Sequence, residues 1–332
     1  MKNSRIIGHG HYVPERVVTN FDLEKMMDTS DEWIQERTGI KERRWIKAGE
    51  TTIYELGYKA TQKALERASI EASDIEFIIF ASILSDHGFP GGGCFMQEML
   101  GIPGVPSMDI RNACSGFIYG LSIGDKFIKS GTYKTVLVVG AEIQSTGIDK
   151  STVGRDVSVI FGDGSGAVIL QATDDKNKGI LTTHLHADGR FARKLWCEWP
   201  SINNTPQMGG IFNDPKRDAP YMEGRYVFKH AIVKFPEVIN EALDATGYSI
   251  NDVDLVIPHQ ANLRITEAVA QRLGIPMSKM FSNIQRYGNT TAASIPIALD
   301  EAVEEGLIKD NSLVCLAAFG SGFTWGSALI RW

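Results

Sequence analysis

Cys114 is the residue of this chain best placed to act as a nucleophile. It sits in Asp109-Ile-Arg-Asn-Ala-Cys-Ser-Gly-Phe-Ile-Tyr-Gly-Leu121, where an extended run from Pro106 to Asn112 gives way to a helical pattern. Phe117, Ile118, Leu121, Phe127 and Ile128 recur at helical spacing, and the run stops at Gly131. A thiol at a helix start meets unpaired N–H groups and the positive end of the macrodipole, so this placement predicts easier ionisation. Small neighbours (Ala113, Ser115, Gly116) leave the sulfur approachable. An isolated cysteine is more often a buried packing residue. Two other stretches weigh against that here. Pro258-His-Gln-Ala-Asn262 follows a buried strand, the usual place for reactive groups in α/β proteins. Asn289, in Tyr287-Gly-Asn-Thr-Thr-Ala-Ala-Ser, stands where a helix cap would also stand.

Those residues need elements to bring them together. At 332 residues the chain is long enough for two domains or one large duplicated one. Its net charge of -6 argues against nucleic acid as a global partner and leaves room for a local basic patch. Cys94, Cys114, Cys197 and Cys315 lack the spacing of a disulfide framework or a zinc site, so no metal is expected. No apolar run has signal-peptide or membrane-span character, which predicts a cytoplasmic protein with no membrane partner. Short helices are expected over Asp22 to Met27 and Ser30 to Arg37, and a long amphipathic one over Thr51 to Ala68. Ile75 to Ala81, Thr135 to Gly140 and Ala167 to Leu170 read as buried strands, so the class is α/β. Gly8-His-Gly-His-Tyr is a fragment of a dinucleotide fingerprint without its third glycine, and Gly162-Asp-Gly-Ser-Gly lacks the ending of a phosphate loop. His184 and His186 lack an evident third metal ligand and read as structural.

An internal repeat organises the chain. The fifteen residues from Leu65 (Leu-Glu-Arg-Ala-Ser-Ile-Glu-Ala-Ser-Asp-Ile-Glu-Phe-Ile-Ile) align without a gap on those from Leu243. Thr135-Val-Leu-Val-Val aligns with Ser312-Leu-Val-Cys-Leu at almost the same offset. The chain therefore reads as two copies of one α/β unit, residues 1–173 and 174–332, the first carrying Cys114 and the second His259 and Asn289. Counting back from the strands superposes Asn112-Ala-Cys114 on Asn289-Thr-Thr291, so Cys114, His259 and Asn289 can converge about a pseudo-twofold axis.

Assembled in order, Asp28-Thr-Ser-Asp-Glu-Trp-Ile, Arg37-Thr-Gly-Ile, Ala113-Cys-Ser-Gly-Phe, Phe161-Gly-Asp-Gly, His184-Leu-His-Ala-Asp-Gly, Pro258-His-Gln-Ala-Asn-Leu-Arg, Gly288-Asn-Thr and Gly322-Phe-Thr-Trp-Gly-Ser-Ala resemble β-ketoacyl-acyl carrier protein synthase III. The resemblance covers nearly the whole chain. It implies the duplicated, five-layered α-β-α-β-α thiolase fold, a homodimer and the initiating condensation of fatty acid synthesis. It also implies no cofactor, with acyl-coenzyme A and malonyl-acyl carrier protein as substrates. Residue by residue, Cys114 matches the nucleophile, and His259 and Asn289 match the pair that binds the malonyl thioester oxygen. The N–H groups of Cys114 and Ser321 match the oxyanion hole. Trp33, Arg37, Arg155 and Asn262 match coenzyme A contacts. Phe89, reaching across the dimer, and Phe161 match the acyl pocket, and Lys229, Arg264 and Arg272 match the carrier-docking surface.

Departures from the pattern include Ser321 for a common glycine, Arg225 for an asparagine and Gln271 for a lysine. The glycine run Gly91 to Gly93 after Phe89 and the long segment Trp196 to Met222 also differ, and predict a yielding pocket open to primers longer than acetyl. The order Cys, His, Asn also occurs in papain-like hydrolases, where the Asn orients the His and water is the acceptor. A condensing-enzyme relative with another primer or acceptor, or a non-catalytic partner subunit, are further alternatives.

Overall fold

The computed structural model describes residues 2–198 and 219–332. Its first sheet runs β1-β7-β6-β4-β5, built from β1 (Asn3–Tyr12), β4 (Phe77–Ala81), β5 (Ser107–Ile110), β6 (Thr135–Glu142) and β7 (Gly164–Thr173). The second runs β11-β12-β13-β8, from β8 (Gly179–Ala187), β11 (Leu255–Pro258), β12 (Leu313–Gly320) and β13 (Thr324–Arg331). In both, the central strands are parallel and the next two antiparallel. The second sheet keeps only one parallel bridge, Val256 to Met280, where β5 would pair.

The central strands are apolar on both faces because both faces are covered. Phe77, Ile79, Val136 and Val138 face a core shared with Leu255, Ile257, Val314 and Leu316 of the other sheet. Helices α5 (Gly116–Lys129) and α10 (Ser294–Glu304) fill that space with Phe117, Leu121, Ile295 and Leu299. Ile78, Phe80, Leu137 and Val139 point the other way, onto α3 (Ile53–Ala68) and α4 (Gly92–Leu100). Val256, Cys315 and Ala317 likewise meet α7 (Gly224–Thr246) and α8 (Leu263–Leu273). The result is five layers, α-β-α-β-α. A side cluster around Ile34, Trp45 and Ile160 joins α1 (Asn20–Glu24), α2 (Asp31–Thr38), α6 (Arg155–Ser158), α9 (Ile284–Tyr287) and the ribbon of β2 (Val17–Thr19) and β3 (Glu42–Arg44). Among the described residues no helix is long and apolar enough to cross a membrane.

The repeat has one constant spacing, which differs by one residue from the strand alignment made on sequence. Phe77 and Leu255, Gly116 and Ser294, Thr135 and Leu313 each begin equivalent elements 178 residues apart. Thr135 thus matches Leu313, not Ser312, and Cys114 matches Ala292, not Thr291. A one-residue slip exchanges the faces of a strand. Val136 and Val314 both enter the core between the sheets, while Leu137 and Cys315 both face outward, which decides the register. The backbone agrees: Ala113 and Thr291, the residues before Cys114 and Ala292, have φ of 45° and 53°.

Other expectations shift for local reasons. Thr19 caps α1 through a box with Asp22, so that helix starts at Asn20, ahead of Asp22. The Gly8-His-Gly-His run lies inside β1, and a Cβ on Gly8 would meet the Ala64 carbonyl at 2.1 Å. Those glycines let α3 approach the sheet and bind no nucleotide. Gly91 to Gly93 is not a loose loop either. Gly92 and Gly93 open α4, and a Cβ on Gly91 would stand 2.3 Å from the Asp109 carboxylate, which accepts the Gly93 N–H. The argument for a yielding pocket from that run therefore falls away.

Candidate active site

Cys114 lies in a 3-10 turn, Ala113–Ser115, just ahead of α5, and is 7% exposed. The end of β12 packs on it so closely that a Cβ at Gly320 would be 2.6 Å from Cys114 Cβ and 3.0 Å from Sγ. The next residue, Ser321, turns its N–H to the sulfur, as does Cys114 itself. Three hydroxyls stake that loop. Ser321 Oγ donates to the Leu195 carbonyl at 2.5 Å, Thr324 Oγ1 to Ser321 O at 3.0 Å, and Ser115 Oγ to Thr324 O at 2.9 Å. The easier ionisation expected of a helix start is overturned. Burial pushes the Cys114 thiol up to about 12, Glu142 adds to this, and the two N–H groups only oppose it.

His259 follows β11, is 2% exposed, and burial holds it neutral, its pKa lowered to about 3. Ser294 Oγ accepts the Gln260 N–H at 3.3 Å and lies 2.6 Å from His259 Nδ1. The described hydrogen bonds give the Ser294 hydroxyl hydrogen no acceptor other than Nδ1, so it donates there, which assigns the imidazole proton to Nε2. That nitrogen is buried with no hydrogen-bond partner among the described residues. Asn289, 7% exposed, joins the other half through a bridge to Phe161, with Gly162 N–H donating to Asn289 O at 3.1 Å. Its Oδ1 accepts the Thr291 N–H at 2.8 Å, which leaves the amide nitrogen as the donor end. Nδ1 of His259 is thus held by Ser294 and Asn289 by Thr291. A hydrolase-type Asn-to-His pairing is not present.

The coenzyme A candidates come together on α2 and its neighbours. The Arg37 and Arg155 guanidiniums lie 4.4 and 5.0 Å from the Trp33 ring centroid. Asn262 caps α8 and donates Nδ2 to the Arg37 carbonyl at 2.8 Å. Arg155 Nη1 donates to Asp28 O at 2.6 Å, while its Nε, 3.7 Å from Asp156 Oδ1, and Thr29 Oγ1 are buried without a hydrogen-bond partner among the described residues. Phe161 is buried and Phe89 is 84% exposed, so the two lie in different surroundings within one protomer. Lys229, Arg264 and Arg272 are all exposed. Arg264 and Arg272 stand at opposite ends of α8, about 12 Å apart along its axis. The ends of the long segment form a ribbon of β9 (Leu195–Trp196) and β10 (Tyr221–Met222); Trp199, Ile211 and Phe212 fall outside the described residues.

Sequence reasoning missed the polar groups that support these residues, because each pairs across long separations. Glu241 of α7 meets both His184 (3.2 Å) and His186 (2.6 Å). His9 and His11 share the buried Asp300, each at 2.5 Å, and Arg67 bonds Asp300 and Glu304. Among the described residues His11, Asp300 and Glu304 are the one group whose ligand atoms cluster as a metal site would need, and Arg67 already pairs with both of its carboxylates. Asp163, in the Phe161-Gly-Asp-Gly motif, accepts the N–H groups of Ile46, Gln144 and Ser145, each at 2.8 Å. That motif is a loop hub and not a simple turn.

Glu142, fully buried at the end of β6, is pushed up to about 8 by burial, against N–H donors from Ile83 and Ala292. A carboxyl whose folded pKa is raised keeps a proton that the unfolded chain releases above about 4.5. Stability therefore falls as pH rises from there through about 8. Glu142→Gln removes that loss. The variant should gain on the parent by up to roughly 2 kcal/mol between pH 6 and 8 in denaturant titrations. A constant difference across that range would show that Glu142 does not titrate there.

The geometry agrees with the comparisons to known proteins. Residues 108–189 match the family 3-oxoacyl-[acyl-carrier-protein (ACP)] synthase III, and residues 243–332 its C-terminal part. The β-ketoacyl-[acyl-carrier-protein] synthase III of Xanthomonas euvesicatoria pv. vesicatoria is 48% identical over 331 residues, 99% of this chain and 98% of that one. The protein of the same name from Pectobacterium atrosepticum is 45% identical over 328 residues, 99% of each chain. The crystal structure of 3-oxoacyl-[acyl-carrier-protein] synthase III from Aquifex aeolicus superposes with a TM-score of 0.91 at 45% identity, covering 99% of this chain and all of that one. A buried thiol faced by two N–H groups and a buried neutral histidine at the end of β11, in a chain alike over its whole length to those proteins, lead to one assignment: it belongs to the β-ketoacyl-acyl carrier protein synthase III family of acyl-transferring condensing enzymes.

Proposed function

We propose that this chain condenses an acyl-coenzyme A primer with malonyl-acyl carrier protein through an acyl-cysteine on Cys114. The observation that carries the reading is the thiol faced by the N–H groups of Cys114 and Ser321. Sγ adds to the primer carbonyl, and those two donors hold the oxyanion. Collapse breaks the bond to coenzyme A, and the thiol proton ends on the departing sulfur. Malonyl-carrier protein then loses carbon dioxide. The bonding pair stays behind as an enolate whose charge falls on the thioester oxygen. His259 Nε2–H and the Asn289 amide donate to that oxygen in a dry site, where such bonds gain strength. The enolate carbon attacks the acyl-cysteine and the thiolate leaves, taking a proton from solvent to restore the thiol and giving a 3-oxoacyl product two carbons longer. The attacking pairs come from the Cys114 sulfur and from the carbon–carbon bond broken in malonate, with no change of oxidation state to be met by a cofactor.

Trp33 and Arg155 take the adenine between them, with Arg37 and Asn262 at the same mouth. The exposed Phe89 and the edge of β5, paired among the described residues on its β4 side alone, fit a second copy of the chain whose acyl pocket Phe89 completes. The setting is a cytoplasmic homodimer divided in each protomer into halves 1–173 and 174–332. Intact-mass measurement after exposure to a panel of acyl-coenzyme A thioesters tests the reading. An adduct on Cys114 that malonyl-carrier protein converts to 3-oxoacyl product supports it, and an adduct released only by water overturns it.

Lys229, Arg264 and Arg272 meet the acidic carrier protein in spite of the net charge of -6. Arg264→Glu should raise KM for malonyl-carrier protein by about three- to tenfold and barely alter acylation by acyl-coenzyme A. The parent KM should also rise with salt, as exposed charges are screened. Carrier kinetics indifferent to salt would remove this surface from the account.

A further inference from the structure

An amide is nearly symmetric in shape, so what points the donor end of Asn289 toward the substrate has to be a specific hydrogen bond. That bond is the Thr291 N–H on Asn289 Oδ1 at 2.8 Å. Thr291 can offer it only by holding φ at 53°, a left-handed conformation that a β-branched residue rarely adopts. Such strain persists where the surroundings over-determine it. The equivalent Ala113 holds φ at 45° without a hydroxyl, so the turn itself sets the conformation; what is particular to Thr291 is a hold from the other half of the chain. Gln144 Nε2 donates to Thr291 Oγ1 at 3.1 Å and lies 3.4 Å from Glu142 Oε2. Gln144 is anchored in turn by its own N–H on Asp163 Oδ1 at 2.8 Å. Gln144 and Thr291 are 4% and 1% exposed, so water does not replace these bonds.

We propose that Gln144 is a positioning residue for Asn289, acting through Thr291. The proposal rests on the reading that Asn289 donates to the malonyl thioester oxygen. Without the Gln144 donor, the Thr291 turn loses this hold and its N–H shifts off Asn289. The amide is then free to flip and present its oxygen to the developing enolate, where a lone pair repels the charge that an N–H stabilises. Cys114, Ser321 and the loop stakes of the acylation site make no bond to Gln144 among those described above. The two half-reactions should therefore separate.

The test uses Gln144→Met, which keeps the length and removes the donor, and Thr291→Val, which removes the acceptor. Thr291→Ser restores the hydroxyl. Carbon dioxide release from malonyl-carrier protein should fall about tenfold or more in Gln144→Met and Thr291→Val, and far less in Thr291→Ser. Acylation of Cys114, read by intact mass, should fall much less than decarboxylation. In an Asn289→Ala background Gln144→Met should add nothing, since the group it positions is gone. Equal losses in both half-reactions, or additive losses in that background, overturn the proposal. So does an Asn289→Ala enzyme that decarboxylates poorly beside a Gln144→Met enzyme that does not. If Asn289→Ala decarboxylates like the parent, the reading of Asn289 fails and the proposal goes with it. Should Gln144→Met not fold, Thr291→Val against Thr291→Ser decides the same question.

Discussion

Cys114→Ala should form no acyl-enzyme with any acyl-coenzyme A, a complete loss by intact mass. The other cysteines offer no substitute. Cys94 and Cys197 are exposed, unlike the buried Cys114, and Cys315 is packed inside β12 with its thiol also raised to about 12 by burial. The structure adds a pH dependence. A thiol held up to about 12 is almost wholly neutral at pH 7, so less thiolate is present than at an ordinary cysteine. In the free enzyme the alkylation rate of Cys114 should keep climbing with pH through 9, where an exposed cysteine begins to level. A plateau below pH 8 would show that the N–H groups outweigh burial. In the proposed mechanism the thiol gives up its proton when a thioester fills the site and its oxyanion meets the N–H groups of Cys114 and Ser321.

His259→Ala should lower malonyl decarboxylation by about 10²–10³, the usual effect of losing one donor to a developing oxyanion. The reason lies in the tautomer. Ser294 places the proton on Nε2, and burial keeps the ring neutral, so the buried donor has its hydrogen ready and no protein acceptor to give up. Acylation depends on other donors and should suffer less. Equal loss of acylation in His259→Ala and Cys114→Ala would instead make His259 the base for the thiol. The low pKa of about 3 argues against that, because a ring so reluctant to hold a proton is a weak acceptor.

The central strands were readable from the chain because β4, β6, β11 and β12 are covered on both faces and so carry unbroken apolar runs. Cys114, Pro258-His-Gln-Ala-Asn262 and Gly288-Asn-Thr were readable because strand ends and helix starts leave local marks. The repeat was readable too, but only to within one residue. Choosing between 177 and 178 required knowing which face of β12 meets α10, a fact about packing that a run apolar on both faces does not encode.

Local composition alone, without α/β alternation, motif order or the repeat, would not have assigned this fold. With them it determined the α/β class and the duplication and singled out three candidates for acyl transfer, since those depend on neighbours in the chain. Tertiary structure decided the state of each group. Spacing alone placed Cys114 at a helix start and made it acidic, whereas burial under β12 makes it neutral, because desolvation outweighs two N–H groups. It likewise decided that Gly91 to Gly93 are packed against Asp109, that Ser294 sets the His259 tautomer, and that Gln144 reaches Thr291 across 147 residues. These are contacts between distant segments, and their energies depend on distance and dielectric, which the order of residues does not contain.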